Sequence, residues 1–567
     1  MALTGRDDRL NYWAAMLIQR RTEGAGAMND EPQLGLSHWV PVDEDAIWEL
    51  TTGDLLRRAA ELAPTTTALV EGGTEAASRR RWTYTDLLAE AEVVAGALLG
   101  RFHPGDRVAV WANNIPEWVL LQMGAALSGL TLITVDPALR EAELRHVLGH
   151  SRAVAIFLRR EYRTNPMLDT VSRLREQLPN LREVVLFEGW PEFIVTAPRG
   201  TTLPRVASDD WAQIQYTSGT TGVPKGVVLT HRGLVNSARL SFGRHFGIRQ
   251  SEVFVNPMPL FHTAGSGLIT LSLIASLGTH VLMPWFDAEL YLQLVEQERS
   301  VVFSGVPTML MAALRHPRFP ATDTSSVRMA CSGGAPVPPD LVRRVEADLG
   351  VPMTVTYAQT EASPAITMTD PRTDSAQDRA GSVGRPISAV EVRIVDPVDR
   401  HSTVPVGTVG ELCTRGFHVM VGYLDAPEAT ADAVDSEGWL HTGDLASMDA
   451  RGYCRIEGRV KEMIIRGGEN IFPREIEDVL TEHPAVQDVA VVGAPDAYWG
   501  EQVAAFITLR PDTTLDEDEL AKFCRHRLAR HKVPQVWRIV TNFPLTGSGK
   551  IRKVALKERL AEDDGAR

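Results

Sequence analysis

The amino-acid sequence predicts an α/β protein, in which a large N-terminal domain is followed by a smaller α+β C-terminal domain. Three observations predict this class. Strand–helix–strand units recur through the first two thirds of the chain, short alternating strands follow Gly381, and a new strand–helix–strand pattern begins past Arg459. At 567 residues the chain also exceeds a single hydrophobic core, because a domain averages about 150 residues.

The first of these units lies between residues 107 and 137. RVAVWA (107–112) has the composition of a buried strand, IPEWVLLQMGAALSGL (115–130) has helical spacing, and TLITVDP (131–137) reads as a second strand. A strand, a helix and a strand in about thirty residues make a βαβ unit, which implies parallel pairing. The pattern recurs over residues 280–307, where AELYLQLVEQER separates HVLM from VVFSGVP.

A small β-rich subdomain is predicted at about residues 381–457. Its strands are AVEVRIVDP, VGELCTRG and GYCRIEGR, which are short alternating segments broken by glycine, proline and aspartate. We place the domain boundary near Gly458–Lys461, so the large domain covers residues 1–457 and the small domain residues 458–567. About a hundred residues are enough for an independent α+β domain.

Composition and charge argue against several classes of protein. Lys and Arg number 58 and Asp and Glu number 72, and the formal net charge of −14 disfavours sequence-independent binding of nucleic acid. The four cysteines are far apart and form no metal-binding motif, so we expect small buried apolar side chains. The absence of a long apolar run and of a signal-peptide pattern predicts a cytoplasmic protein without a membrane span.

One segment, YTSGTTGVPKGVVLTH (216–231), is unusually rich in hydrogen-bond donors. An alternating strand leads into it and an apolar strand follows it. Its glycines allow a ligand to approach the backbone, while hydroxyls, backbone N–H groups and Lys225 suit a polyphosphate. The loop is not a Walker A motif, because Pro224 precedes Lys225 and Gly226 follows it, and an exposed linker is the alternative interpretation.

YTSGTTGVPKG resembles the phosphate loop of the adenylate-forming superfamily, which includes acyl-CoA synthetases, luciferases and peptide-synthetase adenylation domains. Six further motifs similar to those of the superfamily follow in the expected order: PMPLFHTAG (257–265), SGGAPV (332–337), YAQTE (357–361), GWLHTGDL (438–445), GRVKEMIIRGGENIFPREIE (458–477) and PLTGSGK (544–550). The resemblance covers nearly the whole chain, and its subgroup looks like the medium-chain and related fatty acyl-CoA ligases.

This resemblance implies an ATP-dependent acid–thiol ligase. A carboxylate attacks the α-phosphate of ATP to give an acyl-adenylate and pyrophosphate, and coenzyme A then takes the acyl group as a thioester. Such chemistry depends on positioning and on neutralisation of charge. The implied ligands are ATP, Mg²⁺, coenzyme A and a small-molecule carboxylic acid, with homodimer formation left open. In the superfamily the small domain rotates about a hinge between the two steps, so we expect a mobile C-terminal domain.

The motifs also carry over residue roles. The resemblance assigns ATP binding to Thr217, Ser218, Gly219, Thr220, Thr221, Gly222, Lys225, Gly334, Ala335, Pro336, Tyr357, Ala358, Gln359, Thr360, Asp444, Ile456, Arg459 and Lys550. Catalysis is assigned to Lys550, Glu361 and His262, and Glu361 with Thr220 is expected to hold Mg²⁺. By the same resemblance Tyr357 stacks on adenine, Asp444 accepts both ribose hydroxyls, and Arg459 contacts the ribose or the phosphates.

The acyl group and coenzyme A have predicted residues of their own. The acyl pocket is assigned to His262, Thr263, Gly265, Gly333 and Ala358. Lys461 aligns with the hinge, and Gly467 and Gly468 align with the segment past which pantetheine runs. The superfamily usually has glycine where Ala358 stands, so the extra methyl predicts a narrower pocket wall and a smaller, flatter or differently placed acyl group.

Two other functions stay open from the sequence. An adenylating ligase can pass its adenylate to an amine or a carrier protein, or activate an unusual small acid such as nitrite for diazotisation. A nucleotide-binding protein without catalysis is the third alternative, against which the intact motif residues argue. In isolation, Lys550 reads as a solvated lysine, Glu361 as a surface residue, Tyr357 and His262 as core residues, and Asp444 as a turn cap.

Overall fold

The computed structural model describes residues 33–41, 45–198, 200–217, 224–467, 469–496, 498–511, 513–544 and 551–565. Within these residues the chain forms four β-sheets with helices packed on them. This mixed architecture confirms the predicted α/β class.

The strands of the described residues are, in chain order, β1 (His38–Trp39), β2 (Thr67–Glu71), β3 (Arg81–Thr83), β4 (Arg107–Trp111), β5 (Thr131–Val135), β6 (Ala155–Leu158), β7 (Glu183–Leu186), β8 (Trp211–Thr217), β9 (Lys225–Thr230), β10 (Val253–Asn256), β11 (Thr279–Leu282), β12 (Ser300–Ser304), β13 (Met329–Gly333), β14 (Met353–Ala358), β15 (Ala365–Met368), β16 (Arg385–Pro386), β17 (Glu391–Val395), β18 (Gly410–Arg415), β19 (Gly422–Tyr423), β20 (Leu440–Met448), β21 (Cys454–Arg459), β22 (Ile464–Arg466), β23 (Glu469–Ile471), β24 (Val486–Asp496), β25 (Gly500–Leu509) and β26 (Val536–Ile539).

The α-helices of the same residues are α1 (Thr52–Leu62), α2 (Tyr84–Leu99), α3 (Pro116–Ser128), α4 (Glu141–Ser151), α5 (Met167–Leu174), α6 (Trp190–Ile194), α7 (His231–Ala238), α8 (Arg244–Phe246), α9 (Thr270–Ala275), α10 (Ala288–Gln297), α11 (Pro307–Arg315), α12 (Pro339–Leu349), α13 (Ala376–Gly381), α14 (Pro427–Ala433), α15 (Pro473–Thr481), α16 (Glu517–Arg525) and α17 (Lys553–Gly565). Short 3₁₀ turns at Thr360–Ala362 and Val460–Glu462 and a π-helical segment at Ala264–Ile269 also bear on the site.

A seven-stranded sheet carries the predicted phosphate loop. Its strand order is β19-β9-β8-β5-β4-β6-β7, and the strands from β8 to β7 are parallel. The first predicted βαβ unit is present here as β4, α3 and β5, with Val108 opposite Leu132. Because the carboxyl ends of parallel strands meet at one edge, β8 delivers the segment after Thr217 to the edge where ligands of open α/β sheets bind.

A nine-stranded sheet contains the second predicted unit. Its order is β16-β15-β14-β13-β12-β10-β11-β2-β3, and the six strands from β14 to β2 are parallel. Strands β11 and β12, which flank α10, lie in this sheet in the same direction, as the sequence pattern requires. They are not neighbours, however, because β10 lies between them.

Helices between the two large sheets join them into one core. Leu69 of β2, Val108 of β4 and Leu121 of α3 are buried members of a single apolar cluster. Helices α2 and α3 pack closely, since a Cβ atom at Gly124 would lie 2.5 Å from Cγ1 of Val94. Glycine is therefore required at this crossing, and burial of the shared apolar surface is the main force that holds the sheets together.

The β-rich segment predicted from the sequence forms a separate antiparallel sheet. Its order is β1-β17-β18-β20-β21, and it brings Asp444 on β20 opposite Arg459 on β21. The N-terminal strand β1 joins it at the edge through pairs such as Trp39 opposite Val392. This sheet positions the predicted ribose-binding carboxylate.

The C-terminal segment has its own sheet and core. Strands β23, β22, β25 and β24 are antiparallel, and β26 runs parallel to β25. Ile464, Leu480 and Trp537 belong to a buried cluster whose members all lie beyond β21. Arg455 of β21 lies 3.9 Å from the carboxylate of Asp478 on α15, an ion pair between this segment and the preceding sheet.

Candidate active site

The predicted phosphate loop lies at the turn of the β8–β9 hairpin. Thr217, the last residue of β8, is paired with Lys225, the first residue of β9. The glycine after Lys225 is explained by packing, since a Cβ atom at Gly226 would lie 3.1 Å from Ile214 Cγ2. The remaining predicted loop residues lie outside the described part of the chain: Ser218, Gly219, Thr220, Thr221 and Gly222.

Helix α4 braces both ends of this loop. The Nε2 atom of His146 lies 3.0 Å from the carbonyl oxygen of Pro224, and Nδ1 of His150 lies 2.8 Å from the hydroxyl of Tyr216. The two imidazole rings stack with centroids 5.4 Å apart. Burial lowers the pKa of His150, so its ring is neutral at neutral pH and adds no repulsion to the stack.

A hydrogen-bonded cluster surrounds Asp444, whose side chain is buried on β20. Its Oδ2 atom accepts hydrogen bonds of 2.7 Å from the hydroxyl of Tyr357 and from Nε2 of Gln359. The Gln359 amide also donates to the carbonyl oxygen of Thr442 at 3.0 Å. Burial and the nearby Asp444 carboxylate raise the pKa of Tyr357, so its hydroxyl stays protonated and donates. Residues of β14 and β20, from two different sheets, therefore meet here.

The second oxygen of this carboxylate faces a cation. Nε of Arg459 lies 3.1 Å from Oδ1 of Asp444, its partner across the β20–β21 ladder. The guanidinium side chain is 55% exposed, so it reaches the carboxylate from the solvent side. Ile456, three residues earlier on the same strand, is half-buried opposite Ala446.

Glu411 anchors the turn before Asp444 from behind. Its Oε1 atom accepts the backbone N–H of Gly443 at 3.0 Å, and its Oε2 atom lies 3.0 Å from Nδ1 of His441. Gly443 has a φ of +69°, a conformation that favours glycine. The Asp444 N–H completes the turn by donating to Oγ1 of Thr442 at 3.1 Å.

Cys413 joins this pair, with Sγ 3.3 Å from Nδ1 of His441. Three potential metal ligands thus lie within 4.8 Å of one another, although their sequence spacing matches no metal motif. Hydrogen bonds account for the contacts, and Arg400 Nε lies 3.6 Å from the Glu411 carboxylate, a position that opposes a second cation. All four cysteines are free and buried, as expected from the sequence.

The predicted magnesium ligand Glu361 lies in the 3₁₀ turn after β14. Its Oε1 atom accepts a 2.9 Å hydrogen bond from the hydroxyl of Tyr423. Lys225 Nζ lies 4.7 Å from the centroid of the same ring. One tyrosine therefore links Glu361 to the lysine at the end of the phosphate loop. A half-buried carboxylate of this kind is a hard oxygen ligand, which fits Mg²⁺ shared with substrate phosphates.

The predicted adenine strip lies where β13 and β14 end side by side. Gly333 is opposite Thr356, and a Cβ atom at Gly333 would lie 2.5 Å from the Thr356 carbonyl oxygen. Gly334 follows with a φ of +73°. Ala335 is half-buried and Pro336 exposed, so this strip is accessible beside the end of β14.

The predicted acyl-pocket residues are placed in two groups. His262 is exposed, whereas Thr263 and Gly265 are buried at the start of the π-helical segment. Gly265 packs directly on the carbonyl of Pro259, which explains the glycine by close backbone approach. Ala358 is half-buried at the end of β14. Their convergence on one acyl group stays a prediction.

The predicted hinge and coenzyme A segment follows β21. Lys461 is exposed in the 3₁₀ turn Val460–Glu462. Gly467 has a φ of +59° and donates its N–H to the carbonyl oxygen of Trp499 at 2.8 Å. Gly468 and the predicted catalytic Lys550 lie outside the described residues.

The structure brings together Tyr357, Gln359, Asp444 and Arg459, and it places Thr360 next to Glu361 in one turn. Sequence reasoning missed Tyr423, Glu411 and His146. Tyr423 contacts a predicted site residue, His146 contacts the predicted loop, and Glu411 contacts the turn before Asp444. The separations along the chain are large, for example 62 residues between Glu361 and Tyr423. No local pattern marks such a residue, because its partner is set by sheet order.

None of the described helices combines the length and the apolar character needed to cross a bilayer. The fold and the site define an adenylate-forming enzyme. Residues 56–424 match the AMP-binding enzyme family, and residues 475–550 match the AMP-binding enzyme C-terminal domain. The chain therefore belongs to the AMP-binding enzyme family.

Comparisons with individual proteins agree with this assignment. YngI of Bacillus subtilis is 38% identical over 541 residues, which are 90% of this chain and 97% of that protein. The mitochondrial medium-chain acyl-CoA ligase ACSF2 of Bos taurus is 33% identical over 545 residues, 90% of this chain and 88% of the relative. The solved Mycobacterium tuberculosis fatty acyl CoA synthetase matches with a TM-score of 0.73 at 31% identity, over 90% of this chain and 98% of that chain. The predicted superfamily and its fold are confirmed, and the chain is an AMP-forming ligase.

Proposed function

We propose that this protein is an AMP-forming acyl-CoA synthetase for a medium-chain aliphatic or an aryl carboxylic acid. It joins the acid to AMP with release of pyrophosphate and then transfers the acyl group to coenzyme A. The named relatives, a medium-chain acyl-CoA ligase and a fatty acyl CoA synthetase, support the substrate class. The half-buried Ala358 supports a compact or flat acyl group beside β14.

One observation carries the proposal, namely the cluster around Asp444. A buried carboxylate accepts hydrogen bonds from Tyr357 and Gln359 and faces Arg459, so its orientation is fixed by residues of two sheets. A carboxylate has about four acceptor positions, of which these donors use three. Two ribose hydroxyls therefore require one donor to move, and the exposed Arg459 is the side chain able to do so. Its guanidinium then reaches the phosphates.

Adenylation brings two anions together. An oxygen of the acid attacks the α-phosphorus of ATP, the bond from that phosphorus to the bridging oxygen breaks, and pyrophosphate leaves. Lys225 neutralises the triphosphate at the end of the loop, while the loop N–H groups and hydroxyls hold its oxygens. Lys550 provides the ammonium group between the acid and the α-phosphate. Tyr357 stacks on adenine beside the Gly334–Pro336 strip.

Glu361, with Thr220 as its partner, would hold Mg²⁺. An ion held there would supply positive charge for the phosphate oxygens and for the departing pyrophosphate. Glu361 contributes a carboxylate whose position is set by the Tyr423 hydroxyl at 2.9 Å. The backbone of the same residue is fixed as well, because its carbonyl oxygen accepts the N–H of Met420 at 2.9 Å.

The thioester step needs a different arrangement of the C-terminal segment. The thiolate sulfur of coenzyme A attacks the acyl carbon, the bond from that carbon to the AMP oxygen breaks, and AMP leaves. We place the hinge at Lys461, which is exposed in a short turn between two sheets. Rotation there withdraws Lys550 and brings the Gly467–Gly468 segment to the acyl site, where small residues leave room for pantetheine.

The test is pyrophosphate release over a panel of aliphatic and aryl acids, with and without coenzyme A, followed by mass spectrometry of the product. We expect acid-dependent release in both cases and an acyl-CoA thioester only when coenzyme A is present. Acid-dependent release without any thioester would contradict the proposal in favour of another acceptor. No release with any acid would contradict adenylation itself.

A further inference from the structure

Tyr423 occupies a position that no predicted motif role explains. It lies on the two-residue strand β19, half-buried, with its hydroxyl 2.9 Å from Oε1 of Glu361 and its ring centroid 4.7 Å from Nζ of Lys225. The hydroxyl of Tyr423 thus contacts the carboxylate of Glu361, and the face of its ring contacts the ammonium group of Lys225. Both partners are charges that the proposed function uses on the magnesium–triphosphate side of ATP.

The backbone around Tyr423 holds both partners to the same strand. On one side, Met420 donates its N–H to the carbonyl oxygen of Glu361 at 2.9 Å. On the other side, Leu424 donates its N–H to the carbonyl oxygen of Gly226 at 2.8 Å, next to Lys225. The segment 420–424 therefore connects the Glu361 turn to β9 on either side of the tyrosine, and Tyr423 cannot shift without moving one of them.

The tyrosine also separates two opposite charges. Glu361 and Lys225 are not within ion-pair distance of each other in the described structure, since the carboxylate lies at the hydroxyl edge of the ring and the ammonium group over its face. A direct ion pair would satisfy each charge with the other and would compete with Mg²⁺ and phosphate. The aromatic face stabilises the ammonium group without a counter-charge.

Tyr423 is suited to act as a donor rather than as a third charge. Its hydroxyl donates to Oε1 of Glu361 at 2.9 Å, because an ionised carboxylate can only accept a hydrogen bond. A protonated hydroxyl leaves the remaining lone pairs of the carboxylate available for a cation.

We propose that Tyr423 is a positioning residue for the magnesium–triphosphate site. Its hydroxyl holds the Glu361 carboxylate, and its ring keeps Lys225 from forming an ion pair with that carboxylate. The inference rests on the proposed function, in which Glu361 holds Mg²⁺ and Lys225 contacts phosphate. It assigns separate effects to the two parts of one side chain: the hydroxyl acts through the metal and the ring acts through the lysine.

The two parts can be separated by two substitutions in the full chain. Binding of ATP is measured by calorimetry in excess MgCl₂ and again in EDTA, for the wild type, Tyr423→Phe and Tyr423→Leu. Tyr423→Phe keeps the ring, so ATP binding in EDTA stays within about twofold of wild type, while the tightening by Mg²⁺ falls about five- to tenfold. Tyr423→Leu also weakens binding in EDTA, by about threefold or more, because Lys225 can then pair with Glu361.

Tyr453→Phe is the matched control. Its hydroxyl donates to the Asp374 carboxylate at 2.7 Å, and Arg385 and Arg451 lie over its ring, so it repeats the same pattern of contacts away from the predicted site residues. We expect wild-type binding of ATP with and without Mg²⁺ in this variant. A general loss of folding would instead weaken ATP binding in Tyr423→Phe and Tyr453→Phe alike, and it would lower the unfolding temperature in a thermal scan.

The inference is overturned if Tyr423→Phe retains the full wild-type tightening by Mg²⁺, or if Tyr453→Phe loses it to the same extent. It is also overturned if Tyr423→Leu binds ATP in EDTA as tightly as Tyr423→Phe does. Failure of the proposed function has a different signature, because the wild type itself would then show no Mg²⁺-dependent binding of ATP, and the inference would fail with it.

Discussion

Replacing Glu411 by alanine is expected to weaken ATP binding although Glu411 is not a predicted ATP ligand. The Glu411 side chain is 4% exposed and accepts hydrogen bonds from the Gly443 N–H and from His441, at 3.0 Å each. These bonds hold the turn that presents Asp444. The alanine variant removes the acceptor of the half-buried Gly443 N–H and of the buried His441 ring, whose Nδ1 atom keeps only the Cys413 sulfur at 3.3 Å.

The magnitude follows from those two donors. An unsatisfied buried donor costs about 1–3 kcal/mol, and here one donor is half-buried while the other keeps the Cys413 sulfur as a neighbour, so the part of the protein that contains β18 and β20 loses about 1–3 kcal/mol of unfolding free energy. Part of this cost is transferred to binding, because the loosened Gly443 turn must be ordered when ribose binds. If about 1–2 kcal/mol appears in the binding free energy, ATP affinity falls about five- to thirtyfold.

The assay is calorimetric titration with ATP, together with the unfolding temperature, for Glu411→Ala and two comparison variants. Glu411→Gln keeps an oxygen that can accept the Gly443 N–H, so it should bind ATP within about threefold of wild type. Glu391→Ala removes a carboxylate of neighbouring β17 that pairs with Arg415 at 2.7 Å and should leave ATP binding unchanged. Wild-type affinity in Glu411→Ala, or an equal loss in Glu391→Ala, would refute the reasoning.

Three other outcomes are expected. Ala358→Gly should broaden the acid range because it removes a methyl from the predicted pocket wall, worth about 0.8 kcal/mol per buried carbon; kcat/KM values across branched and aryl acids that match wild type would contradict this. Lys550→Ala should slow acid-dependent pyrophosphate release at least about a hundredfold while ATP still binds, and release at the wild-type rate would exclude its catalytic role. Lys553 lies 2.8 Å from both Glu462 and Glu477; burial lowers its pKa, but the two carboxylates raise it above 10.5 overall. Because the pKa of Lys553 is higher in the folded than in the unfolded state, its stabilisation of the fold is complete below about pH 10 and is lost as the pH rises through the folded-state pKa. Chemical unfolding should therefore find Lys553→Met less stable than wild type near neutral pH, and the difference in unfolding free energy should shrink at alkaline pH. A difference that does not change with pH would contradict the ion pairs.

Several parts of the site could be predicted from sequence because their signals are local. Thr217 and Lys225 border a run of glycines and hydroxyls between two strands, and this order of residues predicts a phosphate loop. The structure adds that the two strands pair as an antiparallel hairpin. The strand periodicity around Asp444 likewise predicts a β-rich segment. Such features depend on neighbouring residues, whose spacing is fixed by the covalent chain.

Other parts depend on strand order, which no local pattern contains. The sequence shows β11, α10 and β12 as consecutive elements, yet only the folded sheet places β10 between the two strands. In the same way, β19 is two residues long and carries no strong strand signal of its own. Pairing with β9 brings its tyrosine to Lys225 and Glu361.

The sequence by itself therefore determined the α/β class and the family to which the chain belongs, and it predicted which charged and hydroxyl residues handle a nucleotide. The tertiary structure alone decided which of them share a carboxylate, and that Tyr423, Glu411 and His146 support them. The physical reason is that hydrogen bonds and ion pairs act over about 3–4 Å, whereas their partners here are separated by tens of residues along the chain. Only the packing of the sheets converts that separation into contact.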